Sequence, residues 1–170
     1  MEQLSNVGII LVDMQEGFTR NIRDLDTLIE SQVKVIWWCA KLDFPLAVLE
    51  KEPETYQQTI PYLNGSISEI PRHKKFRKKK MNGFHNRGLE KILRAWKVRE
   101  VFLMGVYASQ CVYSTAKGAK SRGFGVHTSG DVIKDRTTFY AADIPRIYRE
   151  IGNYYRDYNE FLSRIVSGED

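Results

Sequence analysis

The sequence predicts an α/β fold in which helices cover both faces of a mostly parallel sheet, as a three-layer α/β/α sandwich with a Rossmann-like sheet. Short, continuously apolar runs such as 7–12 and 101–106 have the pattern of strands that are buried on both faces, as strands of parallel sheets are. Longer segments with helical apolar spacing separate these runs, which is typical of βαβ units. A chain of 170 residues suits one domain of this kind, so we expect a single domain over residues 1–170.

Each element is predicted from the spacing of its apolar residues. We predict strands at 7–12, 45–49, 76–78, 100–105 and 125–128. Helices are predicted where apolar residues recur every three or four positions, at 25–40, 89–96 and 111–121. The apolar face of the first helix comprises Leu25, Leu28, Ile29, Val33, Ile36, Trp37 and Ala40. The C-terminal segment 140–166 is predicted to hold one or two helices and an edge strand at 153–158.

Three reactive side chains follow separate predicted strands. Asp13 comes directly after the first strand, Lys78 ends the charged third strand, and Cys111 opens a helix just after a central strand. Ligands of open parallel sheets bind beyond the carboxyl ends of the strands, so we expect the three to gather at one edge. A helix N-terminus lowers a thiol pKa and can hold an oxyanion. Taken alone, Cys111 is better explained as an inert buried thiol, which is how we interpret Cys39 in its amphipathic helix.

Three motifs around these residues occur in a fixed order. They are Leu-Val-Asp-Met-Gln at 11–15 with Phe18 after it, Lys-Lys-Lys-Met-Asn-Gly-Phe at 78–84, and Gly-Val-Tyr-Ala-Ser-Gln-Cys-Val at 105–112. Together they resemble the isochorismatase-like cysteine hydrolase superfamily, which includes nicotinamidases and carbamoylsarcosine and ureidoacrylate amidohydrolases. The resemblance runs from about residue 7 to about residue 131. Each motif alone is weak, whereas the ordered set is specific.

The resemblance implies a triad in which Asp13 takes the thiol proton, Lys78 is the catalytic lysine and Cys111 is the nucleophile. It also implies a cis peptide between Val106 and Tyr107, with the amides of Tyr107 and Cys111 forming an oxyanion hole. The expected reaction is hydrolysis of a small-molecule amide or related C–N bond through a thioester. The Lys78 assignment rests on its spacing to Phe84, and a shifted register would select Lys79 or Lys80 instead. Candidate pocket walls are Phe18, Phe84 and Tyr107.

The sequence departs from the family pattern in two places. Ala108 stands where the family usually has threonine, so a hydroxyl group is missing beside the nucleophile. Segment 50–59 contains no histidine, although nicotinamidases hold a metal after the second strand, and we expect neither a metal nor another cofactor. The same segment resembles a subgroup of unassigned substrate with a Glu-x-x-Pro…Thr-x-Pro-x-Leu signature. Its residues here are Glu50, Pro53, Thr59, Pro61 and Leu63.

The positive charge of the chain is concentrated in one segment. The net charge is +5, and residues 72–80 contain seven lysines and arginines. We favour a solvated loop or an edge strand whose lysines discourage sheet pairing, and we expect no nucleic-acid partner. The alternative is a catalytically silent or nucleic-acid-associated binding protein on the same fold that uses segment 72–80 as its surface.

Further expectations concern location and assembly. Without a signal peptide or a long apolar run, the sequence predicts a soluble, cytoplasmic protein with no membrane partner. The resemblance implies a homo-oligomer that acts on a small-molecule substrate, which the sequence does not name. An aromatic surplus near the C-terminus would serve an interface or cover the sheet, and comprises Tyr148, Tyr154, Tyr155, Tyr158 and Phe161.

Overall fold

The structure, a computed structural model, describes residues 6–136 and 143–167. Its strands are β1 (Val7–Val12), β2 (Leu46–Lys51), β3 (His73–Lys78), β4 (Glu100–Val106), β5 (Gly125–Ser129), β6 (Ile133–Lys134) and β7 (Asn153–Tyr155). Its α-helices are α1 (Glu16–Thr19), α2 (Leu25–Leu42), α3 (Pro53–Tyr56), α4 (Pro61–Ile67), α5 (Arg87–Ala95), α6 (Cys111–Ser121), α7 (Ile144–Arg149) and α8 (Tyr158–Ser167). A 3₁₀ helix spans Gly83–His85.

The seven strands form one sheet with the order β3-β2-β1-β4-β5-β7, and β6 pairs separately with β4. Every strand pair among the described residues is parallel. Strands β1 and β4 are almost wholly buried, as strands covered on both faces must be. The predicted α/β class with a mostly parallel, Rossmann-like sheet is therefore confirmed.

Several elements are longer or more numerous than the sequence predicts. Strand β3 begins at His73, three residues before the predicted start, because its exposed side chains give it no apolar run. Helices α3 and α4 begin at prolines and are too short to show a periodic pattern. The two-residue strand β6 has no sequence signal. Of the C-terminal prediction, residues 140–142 lie outside the described residues, while α7, β7 and α8 agree with it.

The buried face of α2 is rotated from the predicted one. Trp37 is 52% exposed and Ala40 is exposed, so their predicted place on the apolar face is wrong. Gln32 is buried instead, because its side-chain amide donates to the carbonyl oxygen of Val132 at 3.0 Å and contacts the sulfur of Met14 at 3.4 Å. Only the amide nitrogen is bonded, since Oε1 of Gln32 is buried with no partner among the described residues. With Gln32 inward, Val35 and Cys39 also lie on the buried face of α2.

The C-terminal aromatic residues cover the sheet. Phe161 stacks on Phe102 of β4 with ring centroids 4.4 Å apart, and the buried hydroxyl of Tyr148 donates to the carbonyl oxygen of Ala108 at 2.5 Å. Tyr155 is buried as well, while Tyr154 and Tyr158 are half-buried. The sequence left open whether these aromatic residues form an interface or cover the sheet. Covering the sheet accounts for the three that are buried, Tyr148, Tyr155 and Phe161.

The charged segment forms an edge of the sheet. Strand β3 pairs with β2 alone, and its exposed side chains include those of Lys74, Lys75 and Arg77. The expectation of an edge strand is thereby confirmed. Among the described residues, no helix is long and apolar enough to cross a membrane.

Gly105 is required where β4 meets β1. Its φ is +132°, and a Cβ there would lie 2.1 Å from the carbonyl oxygen of Val12. We predict that Gly105→Ala lowers the free energy of unfolding by roughly 3 kcal/mol or more, because backbone strain and overpacking add. Urea denaturation measures the change.

Gly65→Ala is the matched control. Gly65 lies in α4, and a Cβ added there would meet no atom within 4 Å, so alanine should stabilise the helix by up to about 1 kcal/mol. Equal effects of the two substitutions would contradict the close approach of β4 to β1.

Candidate active site

The carboxyl edge of the sheet brings the three predicted side chains together. Asp13 follows β1, with φ of +53° and its amide donating to the carbonyl oxygen of Leu49 at 3.1 Å. Lys78 is the last residue of β3 and Cys111 is the first of α6. The three belong to separate strand connections, so the sheet itself sets their spacing.

Asp13 and Lys78 form a buried ion pair. The Lys78 ammonium lies 2.9 Å from Oδ2 of Asp13, and neither side chain is exposed by more than 1%. The ammonium also donates to the carbonyl oxygens of Lys80 and Met81, each at 3.1 Å. Since an ammonium has three N–H groups, all of its donors are occupied. Lys79 and Lys80 are exposed, so Lys78 is the lysine that the structure places beside Asp13.

The Cys111 thiol completes the cluster within hydrogen-bonding reach of Asp13. The pKa of Cys111 is raised to about 11, chiefly by burial and next by the Asp13 charge, while the Lys78 charge acts to lower it. Burial also raises the pKa of Asp13, against the attraction of Lys78. The expectation that the helix N-terminus lowers the thiol pKa is wrong for this resting site, because burial outweighs it. The thiol is therefore protonated at neutral pH.

The loop before Cys111 has an unusual backbone. The peptide bond between Val106 and Tyr107 is cis, which is where the resemblance implies one. The amides of Ala108, Ser109 and Gln110 donate to the Lys134 carbonyl, the Asp135 carboxylate and the Tyr107 carbonyl, respectively. The described residues supply no acceptor for the amides of Tyr107 and Cys111. These two N–H groups are those implied for the oxyanion hole.

Two of the three candidate pocket walls lie together near this loop. The Tyr107 hydroxyl donates to the carbonyl oxygen of Phe18 at 2.9 Å and accepts from the amide of Asn21 at 3.2 Å. The rings of Phe18 and Tyr107 meet edge to face at 6.0 Å, and Phe18 also stacks on Tyr56 at 4.4 Å. These contacts hold the Tyr107 side chain in one orientation.

Phe84 lies elsewhere. Its ring is buried against Phe124 at 5.9 Å, and the Arg122 guanidinium lies 5.0 Å from the ring centroid. Arg122 follows the C-terminal end of α6, whereas Cys111 begins that helix. We therefore describe Phe84 as a core residue and assign it no part in the site.

Lys51 is a residue near the site that the sequence pattern does not identify, and Gln15, the last residue of the first motif, holds it in place. Lys51 ends β2 in register with Lys78, and its charge lowers the pKa of both Asp13 and Cys111. The buried Gln15 side chain donates to the carbonyl oxygen of Lys51 at 2.9 Å and accepts from its amide at 2.8 Å. The apolar run that predicts this strand ends at residue 49, so the alignment of Lys51 with Lys78 is not visible in the sequence.

The subgroup signature has a structural explanation. Oε2 of Glu50 accepts hydrogen bonds from the amide and the hydroxyl of Thr59, at 2.6 and 2.8 Å. Pro53 and Pro61 begin α3 and α4, and Leu63 is fully buried. The residues of the signature thus hold the segment after β2 in place through hydrogen bonds and packing. We assign them a structural role.

A pocket of about 330 Å³ lies beside Ala108, on the β6 side of the loop. Ala108, where the resemblance implies threonine, is one of its lining residues. The other lining residues are Arg23, Asp24, Gly130, Ile133, Lys134, Asp135, Arg136, Ile144 and Tyr154. No group of three or more His, Cys, Asp or Glu side chains within residues 6–136 and 143–167 is arranged to hold a metal ion.

Comparison with known proteins identifies the family of the chain. A family model for the isochorismatase domain matches residues 7–148. The chain belongs to the isochorismatase family of hydrolases. Isochorismatase domain-containing protein 2 of Xenopus laevis is 24% identical over 129 residues, which are 76% of this chain and 60% of that protein. The match thus spans less than two thirds of that relative.

Solved structures share the fold. MAR1 ribonuclease from Caenorhabditis elegans is 25% identical with a TM-score of 0.86, covering 98% of this chain and 84% of that one. N-carbamoylsarcosine amidase from Thermoplasma acidophilum is 20% identical with a TM-score of 0.71, and the match covers 89% of this chain and 96% of that one. The YcaC gene product of Escherichia coli, described as an octameric hydrolase of unknown specificity, is 16% identical with a TM-score of 0.77, covering 96% and 86%.

The two charges beside the thiol should have opposite effects on its reactivity. Only the thiolate is alkylated rapidly, so Cys111, at 6% exposure, should react with iodoacetamide about tenfold faster per pH unit up to about pH 11. We predict that Asp13→Asn speeds the reaction at pH 8, because it removes a charge that raises the thiol pKa. Lys78→Met should slow it for the converse reason.

Mass spectrometry of tryptic peptides assigns each alkylation to its cysteine. Cys39 is the internal control, because burial raises its pKa strongly and it should stay unmodified in every variant. If both variants change the Cys111 rate in the same direction, the electrostatic description of the site fails.

Proposed function

We propose that the protein is a cysteine-dependent hydrolase of a small-molecule amide or related C–N bond, with Asp13, Lys78 and Cys111 as its catalytic triad. The observation that carries the proposal is the buried Asp13–Lys78 pair within reach of the thiol. A carboxylate whose pKa is raised by burial is suited to exchange protons with a thiol and a leaving nitrogen. The similarity to an amidase structure favours an amide substrate.

The first half of the reaction forms a thioester. Asp13 takes the proton from the Cys111 thiol, and the thiolate attacks the carbonyl carbon of the substrate. The tetrahedral intermediate collapses by breaking its C–N bond, and Asp13 passes the proton to the nitrogen, which leaves as ammonia or an amine. Lys78 holds the carboxylate in place and favours the anionic forms.

The second half hydrolyses the thioester. Asp13 takes a proton from water as the oxygen adds to the acyl carbon, and the C–S bond then breaks. The departing sulfur takes the proton back from Asp13, which restores the thiol and releases the carboxylic acid. In both halves the amides of Tyr107 and Cys111 stabilise the oxyanion, and each donor of this kind contributes about 3 kcal/mol in other enzymes.

The triad is tested by separating thiol ionisation from turnover. We predict that Cys111→Ala and Asp13→Asn each reduce ammonia release from a panel of small amides by a factor on the order of 10³ or more. Asp13→Asn should do so although its thiol is alkylated faster, because the proton carrier is lost. Cys39→Ala, a change in the helix core, should retain activity. Turnover that persists in Cys111→Ala would refute the nucleophile assignment.

A second candidate function is hydrolysis or binding of RNA. MAR1 ribonuclease, with which this chain shares 25% identity, supports it, as does the charge on β3. Residues 72–87 contain eight lysines and arginines and no acidic residue, whereas the rest of the chain has more acidic than basic residues. A cationic edge of this kind suits a phosphodiester backbone.

Part of this charge is already neutralised. Arg72 pairs with Asp43 at 3.3 Å, Lys75 lies 3.7 Å from Glu50, and Arg77 pairs with Glu54. Lys74, Lys79 and Lys80 are exposed and form no ion pair with a described residue. They are the cations most available to phosphate groups.

We predict that single-stranded RNA binds only if this edge is intact. Replacing Lys74, Lys79 and Lys80 by Gln should weaken binding more than tenfold at low salt and reduce the slope of log K against log salt by about 2. The control replaces Lys34, Lys117 and Lys120, which are exposed on α2 and α6. Fluorescence anisotropy at several salt concentrations measures the affinity and its salt dependence for each variant. No binding by the unmodified protein at low salt disposes of this candidate.

We also propose a homo-oligomer and a cytoplasmic location. The oligomer is supported by the octameric description of the YcaC gene product. Within the described part of the chain, the exposed large apolar side chains available for such contacts are Trp37, Tyr62 and Met81.

A further inference from the structure

A second lysine lies beside the proposed triad. Lys51 and Lys78 are paired in register on the parallel strands β2 and β3. Side chains of register partners in a parallel pair point to the same face of the sheet. Leu49, two residues earlier on that face, contacts the 3₁₀ helix at Gly83, which bonds to Thr115 of α6. The Lys51 side chain therefore leaves the sheet on the side of α6, the helix that begins with Cys111.

The backbone of Lys51 is fixed from both sides. The buried Gln15 amide bonds to its N–H and its carbonyl oxygen, and it also donates to the carbonyl oxygen of Gln57 at 2.7 Å. Gln15 lies two residues after Asp13, so one side chain ties the position of Lys51 to that of the carboxylate. A clamped backbone limits where the ammonium can lie.

The two lysines differ in the donors they have left. All three N–H groups of Lys78 are occupied by Asp13 and two carbonyl oxygens. The half-buried Lys51 ammonium has no carboxylate within ion-pairing distance and no hydrogen-bond acceptor among the described residues. Of these two buried or half-buried lysines, Lys51 is thus the one that retains N–H groups for a ligand.

The charges of the site also leave an excess. Asp13 balances Lys78, and the thiol is neutral at rest, so Lys51 adds an uncompensated positive charge that acts on both Asp13 and Cys111. A partly desolvated cation with free donors is stabilised by an anionic group of a ligand. A neutral amide would leave this charge without a partner.

We propose that Lys51 is a specificity-determining residue that binds a carboxylate of the substrate, so that the substrate is an amide carrying a carboxylate near its scissile bond. The proposal rests on the proposed function for the position of the reacting bond. The carboxylate lies against Lys51, and the amide carbon lies against the sulfur of Cys111.

The test uses a matched pair of ligands that differ in one charged group. Succinamate carries a carboxylate and an amide, whereas succinamide carries two neutral amides. Binding is measured by calorimetry on the Cys111→Ser protein, which cannot form a thioester. We expect succinamate to bind at least tenfold more tightly than succinamide, and Lys51→Gln to remove that preference.

Two further variants exclude trivial explanations. Lys91→Gln removes one exposed charge from α5 and should leave the preference intact. Lys51→Arg keeps the positive charge and should retain part of the preference for succinamate. Circular dichroism checks that each variant is folded. Equal binding of the two ligands, or a preference that persists in Lys51→Gln, overturns the proposal.

The outcome is distinguishable from failure of the proposed function. If succinamate binds through Lys51 but the protein with Cys111 intact hydrolyses no amide in the panel, the anion site stands and the hydrolase proposal fails. If amides are hydrolysed by Cys111 with no preference for a carboxylate, and with equal losses for charged and neutral amides in Lys51→Gln, Lys51 only supports the thiolate and the present proposal fails.

Discussion

The buried ion pair between Asp13 and Lys78 is the constraint on which the rest of the site depends. Removing two charges from water costs several kcal/mol for each, and only close geometry with further hydrogen bonds offsets this cost. The protein meets the requirement by closing the turn after β3, so that the carbonyl oxygens of Lys80 and Met81 also accept from the ammonium. The amide of Glu52 donates to the carbonyl oxygen of Lys78 at 3.1 Å and keeps the strand end aligned with β2.

The same burial determines the resting state of the thiol. Among the described residues, no backbone amide or hydroxyl group donates to either oxygen of Asp13, so its charge is balanced by Lys78 and shared with Cys111. A carboxylate with so few donors holds protons more readily than an exposed one, and the pKa of Asp13 is raised accordingly. Burial thus keeps the Cys111 thiol protonated at rest, and in the proposed reaction Asp13 takes its proton only when the substrate is attacked.

The sequence predicts the parts of this site that depend on local pattern. The apolar run of β1 locates Asp13, and the junction of β4 with α6 locates Cys111 at the residue where the helix begins. Features that depend on packing across the chain were not predictable. The inward rotation of Gln32 requires the carbonyl of Val132, one hundred residues away, and the raised thiol pKa follows from burial that no spacing reveals. Lys51 shows its role only once β2 and β3 are aligned.

Which lysine enters the site is decided by strand alternation. Side chains of β3 point alternately to the two faces, and Phe76 and Lys78 are the buried ones while Arg77 is exposed. A slip by one residue would reverse both, exposing an aromatic ring and turning Arg77 inward. Phe76 packs near Gly88 at the start of α5, and the Asn86 side chain holds the carbonyl oxygen of Arg77 at 2.8 Å. Phe76, two positions earlier, therefore selects Lys78 over Lys79. Lys80 has the parity of Lys78, but β3 ends at Lys78 and Lys80 lies in the turn, where its carbonyl oxygen accepts from the Lys78 ammonium.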